Sequence, residues 1–255
     1  MPGLNPAPEI HPVRIGTAGW NLHRDSVAHF NAEGTHLQRY SAVLNACEIN
    51  SSFYRPHKSQ TWSRWADSVP QRFRFSVKAP KAITHEARLN CKPEVLVAFL
   101  QQLGHLREKL GPVLFQLPPS LSFDEVVARK FLTLLRENFS AAVVWEPRHP
   151  TWFDPAADDL LKEFKVARVA ADPACVPAAV DPAGDGRLAY FRLHGSPRMY
   201  FSSYDLNFLN SLAQQLGQLR REKEVWCIFD NTGAGSALQN ALQLLEKVEG
   251  GEGGK

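Results

Sequence analysis

The segment from position 141 to 152 holds the most concentrated group of chemically capable side chains in the sequence. A short apolar run there predicts a buried strand, and Glu146, Arg148 and His149 follow it directly. Prolines at positions 147 and 150 prevent either a helix or a continued strand ladder at this point. Because buried polar and charged groups are costly without partners, we expect other side chains or a ligand to meet these three.

Several other predicted strands also carry polar residues, and strand alternation indicates that these lie on one face. Successive side chains of a strand point to opposite faces, and the apolar face must pack on helices. The polar face then points to the interior and is richest at the carboxyl ends of the strands, where the active sites of (β/α)₈ barrels lie. The residues predicted on this face are Glu48, Asn50, Arg74, Ser76, Lys78, Gln116, Glu146, Arg148, Arg168, Asp172, Arg192, His194, Trp226 and Asp230.

Acid–base chemistry is the first reaction type that these residues suit. Glu146 and His194 emerge from apolar strands beside cations that tune their proton affinity, and Lys78 or His194 can stabilise developing negative charge. We therefore predict Glu146, His194 and Lys78 as catalytic, with Glu146 as the base. Imine formation by Lys78 is a weaker alternative, because a lysine among carboxylates keeps its proton.

Anion binding is the second kind of chemistry that these residues suit, because arginine can hold a carboxylate or phosphate through two parallel hydrogen bonds. Internal ion pairs between these arginines and the carboxylates of Glu48 and Glu146 are the alternative. The expected ligand is a small anion. The predicted substrate-binding residues are Glu48, Asn50, Gln116, Arg148, His149, Arg192 and Asp230.

A metal site is not predicted by default, although a divalent metal stays open as an alternative. Three or four His or carboxylate donors would have to converge, and no His-x-x-x-His or Glu-x-x-His spacing supports that. Arginines on the same face would also repel a dication. The donors considered are Glu48, His85, Glu146, His149, Asp172, His194 and Asp230.

Aromatic residues near the predicted strand ends leave a second class of function open. A basic cleft with exposed rings can stack on bases, so binding or cleavage of nucleic acid is the alternative to a small-molecule enzyme. Nucleic-acid binding should weaken steeply as the salt concentration rises, which would distinguish it from a small-molecule enzyme. The aromatic candidates are Trp20, Tyr54, Trp62, Trp152 and Tyr200, although packing in the core is the commoner role for such residues.

The spacing of the strands predicts the fold that positions these groups. Eight strands begin near positions 13, 45, 73, 113, 141, 166, 188 and 224, and helical patterns separate most of them. This alternation predicts an α/β fold, a single (β/α)₈ TIM barrel, rather than a doubly wound sheet, since no Gly-x-Gly-x-x-Gly follows a strand. The connection at 173–187, rich in Pro, Ala and Gly, predicts an irregular loop between strands six and seven.

Length and composition are those of one ordinary α/β domain. The chain has 255 residues, of which 44% are hydrophobic, and a formal charge of +3. We predict one domain over 1–255, with a core at about 13–248 and a disordered Gly-rich tail at 250–255. Neither a membrane span nor a signal pattern is visible, which predicts a cytoplasmic protein without a membrane partner. The four separated cysteines predict reduced thiols, and the oligomeric state stays open.

Five motifs together resemble a known family. They are Glu48-Ile-Asn-Ser-Ser-Phe-Tyr54, Phe75-Ser-Val-Lys-Ala-Pro80 with Ile83-Thr-His85, Gln116-Leu-Pro-Pro119, Glu146-Pro-Arg-His149 with Trp152, and Arg192-Leu-His-Gly195. In this order, from about Arg14 to Leu245, the chain is similar to the YecE-like family (domain of unknown function 72). The resemblance implies a TIM barrel with some likeness to the xylose-isomerase and endonuclease-IV type, and no established activity. Phe229-Asp-Asn-Thr-Gly departs from the double Asn that the family commonly has, and Asn21-Leu-His-Arg24 lacks the usual aromatic residue.

These observations predict a TIM-barrel protein that acts as an enzyme, a hydrolase or isomerase. Its expected substrate is anionic, a phosphorylated sugar-like or nucleotide-like compound bound at the carboxyl ends of the strands. The alternative is a nucleic-acid-binding protein or nuclease related to the endonuclease-IV type of barrel.

Overall fold

Strands form at all eight predicted places in the computed structural model, which describes residues 10–250. The apolar pattern of the sequence predicts the first residue of each of these strands to within three residues. The sixth predicted strand is split in two, and one short strand is added. The strands are β1 (Val13–Thr17), β2 (Ala46–Ile49), β3 (Arg74–Lys78), β4 (Leu110–Gln116), β5 (Val143–Glu146), β6 (Ala167–Arg168), β7 (Ala170–Asp172), β8 (Ala183–Gly184), β9 (Leu188–Leu193) and β10 (Glu224–Phe229).

Helices connect most of these strands. Asp124 caps the helix that follows it, with its side chain accepting from the Val127 amide at 3.1 Å. The helix that begins at Pro93 ends at Leu103 and continues as a 3-10 segment in which Arg107 has a left-handed φ of 53°. The α-helices are α1 (His36–Val43), α2 (Ser59–Asp67), α3 (Pro93–Leu103), α4 (Glu125–Asn138), α5 (Pro155–Glu163), α6 (Leu206–Leu219) and α7 (Ser236–Gly250).

Parallel pairing organises the strands into two sheets. One has the order β1-β10-β9-β7, and the other has β2-β3-β4-β5-β6-β8. Strand β5 lies inside its sheet between β4 and β6, with Gln116 opposite Glu146. This interior position fits its continuous apolar run, which needs burial on both faces. The result is a mixed α/β fold with parallel sheets.

The connection after β7 is irregular, as the sequence predicts. It contains a single 3-10 turn at Pro177–Val180 and no α-helix. The short strand β8 was not predicted, and it pairs antiparallel with β6 through Ala167 and Arg168. A composition rich in Pro and Gly disfavours a helix but does not exclude two residues of edge pairing.

The backbone hydrogen bonds between strands define two sheets, whereas the sequence predicts one closed barrel. Between β1 and β2 there is a single isolated bridge, from Ala18 to Glu48. Side chains take the place of the ladder there: Asn45 bonds to the Ile15 amide and the Val13 carbonyl, both at 2.8 Å. The closed barrel therefore remains an inference from the sequence.

Two apolar clusters lie on opposite faces of the strands. The larger cluster packs strand residues such as Phe75, Phe115 and Trp145 against the helices. The smaller one consists of strand residues, with Ala18 packed against it, and lies on the face that carries the polar groups. Its buried members are Ala46, Leu114, Val144, Ala167, Val169, Leu188, Tyr190, Trp226 and Ile228.

Some predictions concern the ends and the surface of the chain. The Gly-rich tail lies outside the described residues apart from Gly250, which ends α7. No helix within residues 10–250 is both long enough and apolar enough to cross a membrane. All four cysteines are free thiols.

Candidate functional site

Arg192 is the centre of a buried charge cluster at the carboxyl ends of the strands. It lies near the end of β9 and is 0% exposed. Its guanidinium contacts Glu48 at 2.8 Å, Asp230 at 2.9 Å and Glu146 at 3.1 Å. Burial acts to lower the Arg192 pKa, but these three carboxylates outweigh it and hold the pKa well above its ordinary value. Arg192 therefore organises three acidic side chains.

His194 lies two residues further and joins two of the same carboxylates. Its Nε2 is 2.8 Å from Glu146 Oε1, and its Nδ1 is 3.0 Å from Asp230 Oδ2. The ring is fully buried. Contacts at both nitrogens fix the orientation of the imidazole, which a proton-transfer group requires.

Glu146 has donors on both of its oxygens. Oε1 contacts His194 and also Arg148 Nε at 3.0 Å, while Oε2 accepts from Arg192 and from Gln116 Nε2 at 3.1 Å. Burial acts to raise the Glu146 pKa, but Arg192, Arg148 and His194 together hold it well below its ordinary value. Such a saturated carboxylate is a poor base, so the geometry does not support the expectation that Glu146 takes a proton.

Lys78 differs from the two arginines of this group. Its side chain ends β3 and is 6% exposed, yet its ammonium has no hydrogen-bond or ion-pair partner among residues 10–250. Nζ lies 4.3 Å from the centre of the Phe53 ring. Burial and the charge of Arg192 lower the pKa of Lys78 to about 8, against the opposing fields of Glu48, Glu146 and Asp230. Lys78 therefore stays mostly protonated at pH 7, as expected for a lysine near carboxylates, but it loses its proton more readily than an ordinary lysine.

Tyr190 is a member of this cluster that sequence reasoning missed. Its buried hydroxyl contacts Glu48 Oε2 at 3.1 Å and Ser76 Oγ at 2.9 Å. The signal was available, because Tyr190 shares the inward parity of Arg192 on β9. A buried tyrosine hydroxyl needs a partner, so this position belongs with the polar residues of the inward face.

Four predicted residues lie apart from the Arg192 cluster. Asn50 follows β2, and its buried Oδ1 has no partner within the described part of the chain. His149 caps a 3-10 turn, with Nδ1 accepting from the Thr151 amide at 3.3 Å. The prediction that Arg168 points inward is wrong: it packs outward at 4.7 Å over Phe153, because Ala167 and Val169 occupy the interior face. Asp172 instead accepts from the Tyr204 hydroxyl at 2.7 Å.

The aromatic candidates divide into core and surface residues. Trp62 and Trp152 are buried, and Trp20 is half-buried against Trp65 at a ring distance of 5.1 Å. Tyr54 is 69% exposed and Tyr200 is 42% exposed, so only these two of the five present much ring surface. Tyr200 is the one beside the cluster, with its ring 5.8 Å from that of His194.

Metal binding finds no support in the arrangement of donors. Within residues 10–250, no group of three or more His, Cys, Asp or Glu side chains is placed to hold a metal ion. The carboxylates of Glu48, Glu146 and Asp230 face Arg192 instead. Cations already occupy the place where a dication would need to lie.

The accessible part of the site includes two cations and one carboxylate. Glu146, Arg192 and His194 are fully buried, whereas the Arg148 side chain is 12% exposed, Lys78 is 6% exposed and Asp230 is 5% exposed. Arg192 cannot reach a ligand in this conformation, because its donors are used and its surface is covered. The expected pair of anion-binding arginines is thus reduced to Arg148.

Comparisons with known proteins agree with the resemblance seen in the motifs. A family model described as "Protein of unknown function DUF72" matches residues 14–254. The chain is 25% identical over 268 residues to UPF0759 protein YunF of Bacillus subtilis, covering 93% of this chain and 95% of that protein. It is 32% identical over 120 residues to UPF0759 protein YecE of Escherichia coli K12, covering 47% of this chain and 43% of that protein.

Solved structures show the same relationship. A DUF72 family protein from Thermotoga maritima is 26% identical with a TM-score of 0.77, covering 94% of this chain and all of that one. A DUF72 family protein from Enterococcus faecalis has a TM-score of 0.79 at 22% identity, covering 93% of this chain and 96% of that one. The second likeness is evidence for the fold alone.

Proposed function

We propose, from the premise that this chain belongs to the DUF72 family of proteins of unknown function, that it is an enzyme acting on a small anionic substrate. The reaction is hydrolysis or isomerisation of a phosphorylated sugar-like or nucleotide-like compound at the carboxyl ends of the strands. One observation carries the proposal: Lys78 is a buried cation without an anionic partner among the described residues. Burying an unpaired charge costs free energy that a bound anion would recover.

Arg148 is the second group proposed to contact the anion. It is the most exposed cation of the cluster, and its Nη2 lies 2.8 Å from His194 Nε2. An anion that drew Arg148 outward would uncover the imidazole beneath it. Ligand binding and access to His194 are therefore coupled in this proposal.

The remaining roles follow from burial and bonding. Arg192 is a positioning residue, because it holds Glu48, Glu146 and Asp230 without reaching solvent. Glu146 is likewise proposed to orient His194 and Arg148. Lys78 stabilises developing negative charge and exchanges protons near neutral pH, since a pKa of about 8 suits both tasks.

A closed (β/α)₈ barrel is part of this proposal, with the whole chain as one domain. Two features support closure. Strands β6 and β7 are separated by Val169 alone, so the sixth strand runs from one sheet into the other. At the opposite seam, the Tyr40 hydroxyl accepts from the Thr17 amide at 2.9 Å and lies 3.0 Å from the Ala46 carbonyl.

Close approach at that seam gives further support. A Cβ built on Gly16 would lie 2.0 Å from the Ala46 carbonyl oxygen, so β1 and β2 are neighbours there. Glycine at this position lets the two backbones meet side by side. A carboxyl-end site enclosed by all the strands is the usual place for catalysis in such barrels.

A thermal-shift screen tests the proposal. Phosphate, sugar phosphates, nucleotides and short oligonucleotides are added to wild type, Arg148→Ala and the control Arg187→Ala, whose exposed side chain pairs with Asp185. A ligand at 100 times its Kd should stabilise the fold by about 2.7 kcal/mol, and losing a charged hydrogen bond should weaken binding by about 1.5–3 kcal/mol. We expect a small anion to raise the Tm of wild type and the control, but not of Arg148→Ala.

Two results would overturn it. If no anion raises the Tm, or if Arg148→Ala responds as wild type does, the small-anion proposal fails. A shift with oligonucleotides alone would favour nucleic-acid binding instead.

A further inference from the structure

Lys78 combines three properties that a nucleophilic amine needs. It lies at the carboxyl end of β3 and has no acidic partner among residues 10–250. Its backbone is held by the Ser52 hydroxyl, which donates to the Lys78 carbonyl at 2.7 Å. We propose that Lys78 forms an imine with the carbonyl carbon of an aldehyde or ketone that also carries a carboxylate or phosphate. This inference rests on the proposed function and specifies its substrate class.

The neighbouring carboxylates are unavailable to pair with the amine. Glu48, Glu146 and Asp230 each contact the Arg192 guanidinium at 2.8–3.1 Å. Lys78 instead lies over the Phe53 ring. An aromatic face stabilises the ammonium less than an ion pair with a carboxylate would, so the amine loses its proton more readily than a paired lysine does.

The charge state of Lys78 is consistent with this geometry. Its pKa of about 8 follows mainly from burial. At pH 7 such an amine is neutral in about one molecule of ten, roughly three hundredfold more than an ordinary exposed lysine. The neutral amine is the form that attacks a carbonyl carbon.

The proposed step balances without an oxidant or reductant. The Nζ lone pair attacks the carbonyl carbon and the C=O π electrons move to oxygen, which takes one of the two Nζ protons to give a carbinolamine. That hydroxyl takes a proton from solvent and leaves as water, and the nitrogen lone pair forms the C=N bond of a protonated imine that keeps the remaining Nζ proton. The protonated imine carries the same single positive charge as the ammonium, so the surrounding carboxylates stabilise it equally well.

Phe53 contacts both His85 and Lys78, and His85 is the group proposed to act on the carbon next to the imine. Its ring lies 5.0 Å from that of Phe53, and its Nδ1 contacts the Thr84 hydroxyl at 2.9 Å. Burial and the charge of Lys78 lower the pKa of His85, which favours the neutral ring. A neutral imidazole beside an iminium can remove a proton from the adjacent carbon, the usual next step of imine chemistry.

Reductive trapping tests the inference on the full-length protein. Glyoxylate, which joins an aldehyde to a carboxylate, is added with cyanoborohydride, and intact mass and peptide mapping locate any carboxymethyl group. We expect Lys78 to be modified at least about tenfold faster than exposed lysines at pH 7, because far more of its amine is neutral. Propionaldehyde, which lacks the anion, should modify Lys78 more slowly than glyoxylate does.

Two variants complete the design. Lys81→Arg is the matched control: Lys81 is 48% exposed, pairs with Glu86 and follows Lys78 by three residues, so its loss should leave Lys78 labelling unchanged. Lys78→Arg keeps the charge but should lose the dominant label. Modification spread over exposed lysines, with Lys78 unmodified in wild type, would overturn the inference even if neither variant folded.

A parallel measurement separates this inference from the proposed function. Glyoxylate and phosphate are tested for thermal stabilisation without reductant. A shift that depends on Arg148, together with no trapping at Lys78, would refute the imine and leave the anion site intact. The absence of both would refute both proposals.

Discussion

Two buried lysines lie at opposite ends of the strands and have opposite surroundings. Lys109, just before β4, is 3% exposed and donates to the Pro70 carbonyl at 2.9 Å and to Gln71 Oε1 at 3.1 Å. Lys78, at the end of β3, is 6% exposed and has no such partner within residues 10–250. The same side chain is satisfied at the amino ends and left unsatisfied at the carboxyl ends.

From this contrast we infer which buried polar groups serve the structure and which are held for a ligand. At the amino ends, Lys109 and Trp226 both donate to acceptors, as in the bond from Trp226 Nε1 to Glu224 Oε1 at 2.9 Å. At the carboxyl ends, Arg192 pairs with three acids, and Lys78 has no acidic partner among residues 10–250. A fold gains nothing from an unpaired buried cation, which is why we assign it to binding.

The largest expected effect concerns the organiser of the carboxyl ends. Arg192→Met removes the shared partner of three buried carboxylates, so the free energy of unfolding should fall by about 3–5 kcal/mol. Urea denaturation measures this, with Arg187→Ala as the exposed control, which should change by less than about 1 kcal/mol. Arg192→Lys should lie between wild type and Arg192→Met, because one ammonium cannot bridge three acids. An Arg192→Met protein as stable as wild type would show that the cluster contributes nothing.

Replacing Lys78 should have the opposite sign. Lys78→Met removes a desolvated charge and leaves no described acceptor unpaired, so the free energy of unfolding at pH 7 should rise by about 1–3 kcal/mol. Urea denaturation at constant pH measures it. If Lys78→Met instead lowers the free energy of unfolding, the Lys78 ammonium has a hydrogen-bond or ion-pair partner in the folded protein.

The pH dependence of that gain sharpens the test. The folded pKa of Lys78 is about 8 and its ordinary value is 10.5, so between them the unfolded chain binds more protons and wild-type stability rises with pH. The advantage of Lys78→Met should therefore be full below pH 8 and vanish as the pH rises to about 10.5. Paired denaturation curves at several pH values check this, and a constant difference would contradict it.

Lys109→Met should destabilise the amino ends by a smaller amount. It leaves the Pro70 carbonyl and the Gln71 amide oxygen without this donor, at a cost of about 1–2 kcal/mol. The same denaturation assay applies. If Lys109→Met and Lys78→Met change stability in the same direction, the contrast between the two ends is wrong.

The smallest effect is expected at an exposed pair near the site. Lys81 and Glu86 are 3.0 Å apart, and both are about half exposed. Lys81→Ala should change the free energy of unfolding by less than about 1 kcal/mol in urea denaturation. A larger loss would mean that the loop after β3 contributes to stability beyond this ion pair.

Much of the cluster could be predicted from strand parity alone. Glu48, Glu146 and Arg192 lie together because each is an inward position near the carboxyl end of a parallel strand. Strand alternation predicted the wrong face for the Arg168 side chain, because β6 is two residues long and the chain moves to the other sheet at Val169. Periodicity cannot indicate where a strand breaks.

The free state of Lys78 could not be predicted in the same way. Sequence parity places lysine, arginines and carboxylates on one face but gives no pairing across the strands. Whether Glu48 pairs with Lys78 or Arg192 depends on side-chain reach from different strands, and the forked guanidinium of Arg192 contacts all three acids at once. The chemical conclusion changed with that one pairing, from Glu146 as the base to Lys78 as the reactive group.

The pKa of Lys78 is the quantity that tests the central claim most directly. NMR titration of protein carrying ¹³C at the lysine ε position, with Lys78→Arg to assign the signal, measures it in the intact protein. The account predicts a midpoint of about 8 without ligand, moving upward when a bound anion supplies the missing partner. A midpoint at or above the ordinary 10.5 in the free protein would show that Lys78 is already paired or hydrated, and would contradict the assignment of this end of the strands to an anionic ligand.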